Sequence, residues 1–498
     1  MGHPLYLQPR QESQLAALTE ANGFLHMLAD GLGTPLNVLL PEQIAENLDR
    51  FRAAYQKHHL GGEIFFAHKA SRSSALVRQL AATGGCIDVA SVEELQHALS
   101  CGFAPARIST TGPKDPAFLW LGARAGVTFH VDGRAELEAL AALVRTYDLP
   151  RVRVLLRLSG FSSTGVRTLL RRSRFGTSFV SVGVLLDTVE CVADVVELIG
   201  VGYHLDTVSV AEKAVALEGC INVMDECRSR GMRPQVIDIG GGFGVSYLAE
   251  AEQWDTYVTE LTSAVLGARS PLTWRGHGYG LRSESGKAAG SLGLYPAYRK
   301  VAGAEYLDEL LGTPAPSLGR PLATLLLENL YDLYTEPGRA LADQCGLTLA
   351  KVLEVRRAAD GDEWFVRLDM NAADCSLEDH GVLMDPLILP SGDQCSSLSE
   401  DSSAEPVGVY LFGNLCLESD LITKRLVFLP RLPAPGDLVC FVNTAGYCMD
   451  FSAHQAQQRP EARKVAVWQD RDGSWRWSLD ERYWPITSSG ILWEGAAV

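Results

Sequence analysis

Residues 63–74 read EIFFAHKASRSS, an apolar run that ends at Lys69 and gives way to small and polar residues. A lysine placed where a buried strand opens into a loop has a dry side and an accessible side. That suits an amine which must be neutral to react. It equally suits an ammonium kept in water at a strand rim above a packed stem. Which reading holds depends on what other strands bring to the same level.

Runs of the same kind recur along the chain: EIFFAH, CIDVAS, RISTT, VTFHVD, RVRVLLRL, IGVGYHL, QVIDIG and YDLYTE. Most are separated by segments with helical spacing, such as VEELQHALSCG and RAELEALAALVRTYD. Eight strands alternating with helices over roughly 300 residues predict an α/β fold, a (β/α)8 TIM-like barrel. Its expected bounds are 41–340. Residues 1–40 read as a helical lead-in, QLAALTEANGFLHMLADGLG followed by the extended PLNVLLP, that contributes to a β domain. After 340 the rhythm changes to extended runs without long helices between them: LTLAKVLEVRR, EWFVRLDM, VGVYLFG, RLVFLP, DLVCFVNT, RKVAVWQ and SWRWSL. This predicts a C-terminal antiparallel β domain over 341–498.

Two interruptions, 160–174 (GFSSTGVRTLLRRSR) and 275–298 (RGHGYGLRSESGKAAGSLGLYPAY), are long and rich in Gly, Ser and Arg for barrel connections. Each reads as a solvated surface loop or as a lid or substrate loop. The stretch 391–406, SGDQCSSLSEDSSAEP, has almost nothing apolar to bury and reads as a mobile loop.

The chain has 498 residues, 47% of them apolar, which is ample for a large core and suggests two or three domains. Its formal charge of −16 disfavours nucleic acid or an anionic membrane as a partner. Eleven cysteines, an odd number with no C-x-x-C pair, argue against a disulfide scaffold and a structural zinc site, and no metal is expected. The start MGHPLYLQPRQES offers no apolar signal segment, Tyr6 breaks the myristoylation pattern, and no long uninterrupted apolar window follows. The expectation is a cytoplasmic protein.

Chemistry in such a barrel sits at the C-terminal ends of the strands. There the chain places Lys69, then Asp88 and Ser91, Arg157, His204 with Asp206 and Thr207, the run GGGFG and the turn EPGR. Gly240, Gly241 and Gly242 let backbone N–H groups approach an anion. Arg339 lies at the next strand end, where a phosphate is commonly held after strands seven and eight. Glu336 beside it is poorly placed for binding anions, but it makes sense facing a heterocyclic nitrogen that must stay protonated. Pyridoxal 5′-phosphate unites these demands: a lysine for its aldehyde, a cradle for its phosphate and a carboxylate for its pyridinium.

Through FFAHKA, IDVAS-VEEL, the His204 segment, IGGGFG, EPGR, FGNLCLESD and TAGYCMD, the sequence resembles the fold-type III pyridoxal-phosphate decarboxylases. Within them it resembles the ornithine, arginine and diaminopimelate branch. The resemblance implies that Lys69 carries the cofactor as an imine and that His204 stacks on its ring. It implies that Gly240, Gly241, Gly242, Arg339, Thr207 and Tyr447 hold the phosphate, and that Glu336 pairs with the ring nitrogen. Asp88 and Arg157 match positions that support the ring and the lysine. Cys416 and Asp420, in FGNLCLESD, match residues that reach across a homodimer interface, with the thiol returning a proton to Cα after carbon dioxide leaves. Alanine racemases share the barrel but usually set an arginine against the ring nitrogen, so Glu336 favours decarboxylation. An amino-acid racemase or epimerase, or a non-catalytic cofactor-binding regulator, are the alternatives.

Three departures bear on the substrate. Where the family usually has Gly-Ser after the histidine, this chain has Asp206 and Thr207. The residue after the reactive cysteine, usually acid in enzymes of diamino substrates, is Leu417. The third is the insertion 275–298, which ends in LYPAY. With CLESD and TAGYCMD it looks closer to siderophore and specialised-metabolite relatives, and implies an unusual amino acid or conjugate as substrate. Arg171, Arg172, His277, Lys287, Asp374 and Asp379 are candidates for reading its far end.

Overall fold

The computed structural model describes residues 3–161, 173–205, 207–358, 363–392, 406–487 and 490–491. The chain forms two compact units. One comprises Ile44–Gly244, Val301–Leu341 and the segment from Trp484; the other comprises the N-terminal segment through Gln43, Val245–Lys300 and Ala342–Tyr483.

The first unit is the barrel. Its strands are β1 Gly62–Ala67, β2 Cys86–Val89, β3 Ile108–Thr110, β4 Thr128–Val131, β5 Val152–Ser159, β6 Val196–Tyr203, β7 Val236–Asp238 and β8 Asp332–Thr335. Each neighbours the next in parallel and β8 closes onto β1, so the eight runs read from the sequence form one closed ring. The register sets Ala67 beside Asp88, Gly202 beside Asp238 and Tyr334 beside Asp238. The ends of β1, β2, β6, β7 and β8 therefore come to one level. Strands buried on both faces need apolar residues throughout, and Ile64, Phe66, Ile87, Val89, Val154, Leu156, Val201 and Ile237 supply them.

Helices surround the ring: α1 Pro41–Lys57, α2 Ser74–Ala82, α3 Val92–Ser100, α4 Pro116–Ala125, α5 Arg134–Thr146, α6 Val182–Cys191, α7 Val210–Ser229, α8 Gly303–Gly312 and α9 Leu322–Glu328. Their starts are encoded by side chains that accept from free N–H groups. Ser73 takes the Leu76 amide, Ser91 that of Glu94, Asp115 that of Phe118 and Ser209 that of Glu212. Each cap follows a strand end closely, so the connections stay short. Among the described residues no helix is long and apolar enough to cross a membrane.

The second unit is built on a mostly antiparallel sheet. Its longest strand, Gly346–Arg357, pairs with Leu36–Leu39, Trp364–Leu368 and Leu438–Val442. Leu36–Leu39 also pairs in parallel with Arg463–Gln469, which places the lead-in inside this sheet. The insertion carries a hairpin, Leu281–Glu284 against Lys287–Gly290.

Candidate active site

Lys69 lies in the single turn His68–Ala70 that directly follows β1, half-buried. Next to β1, Asp88 is buried at the end of β2. Its Oδ2 accepts a hydrogen bond from the Thr111 hydroxyl at 2.8 Å, and its Oδ1 has no hydrogen-bond partner among the described residues. Burial and then the negative charge of Glu336 push the Asp88 carboxyl well above the usual range, against the pull of Lys69 and Thr111.

The glycine run follows β7. Asp238 starts it by accepting the Gly240 amide on Oδ1 at 2.7 Å, and the Glu336 amide donates to the Gly240 carbonyl at 3.0 Å. Gly240 and Gly242 have φ of +62° and +87°, a region that glycine enters without strain. Added Cβ atoms would lie 2.7 Å from the Tyr203 carbonyl at Gly240, 2.8 Å from the Glu336 carbonyl at Gly241 and 2.8 Å from the Thr207 carbonyl at Gly242. The three glycines thus press backbone against backbone, and the Gly240 amide is taken by the Asp238 carboxylate. The Thr207 hydroxyl accepts the Ser209 amide at 3.0 Å beside them, and half-buried Arg339 lies in the turn after β8.

Glu336 is the electrostatic centre. It is buried, and its Oε2 lies 3.1 Å from His204 Nδ1 while its Oε1 lies 3.8 Å from His130 Nδ1. His130 Nε2 in turn lies 3.5 Å from Asp238 Oδ2. Burial pulls the Glu336 carboxyl up, but the His204 hydrogen bond and the charges of His130, His204 and Lys69 outweigh it and hold it below the ordinary range. Asp238, like Asp88, is pushed well up by burial and by Glu336. Three buried carboxyls therefore share the site, with Asp88 and Asp238 shifted upward and Glu336 shifted downward. Burial lowers the His130 imidazole to about 4, and it lowers His204 as well, although that side chain keeps 32% of its surface exposed.

Arg157 near the end of β5 points its guanidinium at Asp132, 3.5 Å away, and over the Phe175 ring. Asp206, Arg171 and Arg172 lie outside the described residues. The remaining candidates fall in the second unit. Cys416 is exposed, and Leu417 after it is 55% exposed. Asp420 differs from a residue reaching outward: it is buried, with Oδ1 accepting the Ala372 amide and Oδ2 the Leu415 amide, each at 2.8 Å. It clasps the loop that presents Cys416. Asp379 pairs with Lys424 at 3.2 Å on the surface, while Asp374 closes a turn with Asn371, its carboxyl raised to about 6 by burial. Tyr447 is half-buried with φ of +70°. His277 lies against the Tyr279 ring, and Lys287 is exposed on the hairpin.

His130, Asp238 and Lys213 belong to the barrel site and were not singled out from the sequence. The first two lie in the runs VTFHVD and VIDIG, where a polar residue inside or closing an apolar strand was the available signal.

A parallel barrel whose strand ends bring together a lysine, a side-chain-free glycine cradle and one ionised buried carboxylate defines an enzyme class that holds an aldehyde cofactor with an anionic arm. The residues fit pyridoxal phosphate: a glycine run that tolerates no Cβ, a charged acid for the ring nitrogen, and buried Asp88 Oδ1 and Asp238 Oδ2 atoms without hydrogen-bond partners among the described residues. The family model described as pyridoxal-dependent decarboxylase, pyridoxal binding domain, matches residues 42–291. The chain belongs to that family and is a pyridoxal-phosphate-dependent amino-acid decarboxylase. It is 29% identical to the uncharacterized protein y4yA of Sinorhizobium fredii, with 92% of each chain covered. It is 23% identical to diaminopimelate decarboxylase of Staphylococcus aureus, over 93% of this chain and 95% of that one. The solved diaminopimelate decarboxylase of M. jannaschii in complex with L-lysine has the same fold, with a TM-score of 0.67 and 18% identity over 92% of this chain and 91% of that one.

Proposed function

We propose that the chain decarboxylates an unusual amino acid or amino-acid conjugate in specialised metabolism or siderophore biosynthesis, as a cytoplasmic homodimer. The observation that carries the reading of the reaction is the buried Glu336 carboxylate, 3.1 Å from His204 Nδ1 and shifted below the ordinary range while Asp88 and Asp238 beside it are shifted above.

In this reading Lys69 binds the aldehyde of the cofactor. Gly240, Gly241, Gly242, Thr207, Arg339 and Tyr447 hold its phosphate, His204 lies against the ring, and Asp88 and Arg157 brace the lysine and ring. Bound pyridoxal phosphate supplies a sink for the electron pair left on Cα when the bond to the carboxylate breaks and carbon dioxide departs. Glu336 keeps that sink effective by holding a proton on the ring nitrogen. Cys416, from a second copy of the chain, then gives its proton to Cα, and Asp420 holds the loop that carries it. The exposed position of Cys416 and the apolar Leu417 beside it support both the shared site and a substrate whose far end is not a plain ammonium. Asp379 is the candidate for contacting that end. The names of the Staphylococcus aureus and M. jannaschii relatives support decarboxylation at an amino-acid Cα.

Incubating the purified protein with a panel of L- and D-amino acids and conjugates tests the reading. Carbon dioxide and the matching amine in equal amounts are expected from at least one member. Inversion of a substrate without gas release points to the racemase chemistry instead.

A further inference from the structure

Lys213 is the fourth residue of α7, and its side chain is fully buried. Lysine is rarely buried without a specific partner. Here the ammonium donates to the Gly241 carbonyl, lies 4.8 Å over the Phe243 ring and 5.7 Å from that of Tyr306, and sits 3.3 Å from where a Cβ on Gly242 would be. A trans peptide sends its C=O and the following N–H in opposite directions. Pinning the Gly241 carbonyl inward therefore turns the Gly242 amide outward, and Gly242 is the exposed member of the run. A cation behind such an amide also strengthens it as an anion donor.

We propose that Lys213 is a positioning residue for a phosphate monoester: it aims the Gly242 amide at the cofactor phosphate and sets a positive charge beneath the glycine run. This rests on the reading of that run as the phosphate cradle. Burial draws the free lysine down to about 7, against Asp238 and Glu336, the acids that face it from β7 and β8. Tyr306 on α8 faces it as a neutral ring, and the Tyr203 hydroxyl donates to the Lys213 backbone carbonyl. A bound dianion favours the protonated lysine, so phosphate affinity falls as the pH rises above neutrality.

The test compares affinities of the full-length protein for pyridoxal phosphate and for pyridoxal, which lacks the phosphate, by absorbance titration. In Lys213→Met the preference for the phosphorylated aldehyde drops by roughly tenfold or more, pyridoxal binds as in the wild type, and the thermal midpoint of the apo protein is not lowered. Lys213→Gln, which keeps a donor for Gly241 without the charge, falls between the two. If neither variant folds, the wild-type preference is followed from about pH 7 to about pH 9, where it declines as Lys213 loses its proton. An unchanged preference in the folded variants, an equal loss for both aldehydes, or a flat wild-type preference where neither variant folds overturns the role of Lys213. A wild type that binds both aldehydes equally, or neither, removes the cradle reading itself and this role with it.

Discussion

His204 Nδ1 and Glu336 Oε2 lie 3.1 Å apart, and the Glu336 carboxyl is buried while the imidazole is partly open. The pair is made by β6 and β8, which are not neighbours in the ring, and the glycine run after β7 passes between their ends. An acid in that position would ordinarily be protonated by desolvation. The His204 hydrogen bond and the charge of Lys69 act against that desolvation.

Glu336→Gln removes that charge while keeping the shape. Cofactor binding should persist and turnover should fall by roughly 10²–10³-fold, read as kcat by carbon dioxide release. Wild-type kcat in the variant contradicts the role given to the ionised carboxylate.

Gly242→Ala forces a Cβ to within 2.8 Å of the Thr207 carbonyl at a φ of +87°. A destabilisation of about 1–3 kcal/mol is expected, together with weaker binding of the phosphorylated cofactor. Denaturant unfolding and cofactor titration measure the two, and unchanged values in both deny the glycine its place in the cradle.

Cys416→Ala should leave cofactor affinity intact and slow product formation by roughly 10²-fold, with part of the protonation misdirected away from Cα, so that the amine deuterated at Cα in heavy water falls short of the carbon dioxide released. Asp420→Asn should act through the loop instead. One carboxylate oxygen that accepts the Ala372 or Leu415 amide becomes an amide donor, which costs about 1–3 kcal/mol. Mass-spectrometric deuterium analysis of the product and thermal unfolding separate the effects. Normal turnover in the cysteine variant excludes the thiol.

His130 is buried with its pKa lowered to about 4, so the unfolded chain binds its proton more readily than the fold does. Stability contributed by the neutral ring is present above about pH 6.5 and is lost as the pH falls toward about 4. His204 acts in the same direction, whereas Asp88 and Asp238, raised by burial, act in the opposite one. The wild type is therefore compared with His130→Gln, whose acid limb should be shallower in that window. Superimposable pH–stability curves contradict a buried neutral imidazole.

The barrel was legible because each strand is a short β-branched run buried on both faces, a pattern that survives in one dimension. Lys69, Glu336 and the glycines were legible for a related reason, since each ends such a run. Lys213 was not: in SVAEKAVALEG a lysine on a helix reads as a solvated face, and its burial depends on α8, which arrives much later in the chain. The structural part of Asp420 was hidden too, because its partners are backbone amides that only the folded loop brings to it.

The central claim is that Lys69 carries the cofactor. Borohydride reduction of the purified protein loaded with pyridoxal phosphate, followed by peptide mapping, tests it most directly. One phosphopyridoxyl group per chain is expected on the peptide containing Lys69, absent in Lys69→Ala. A label on another lysine, or no label on a cofactor-saturated protein, contradicts it.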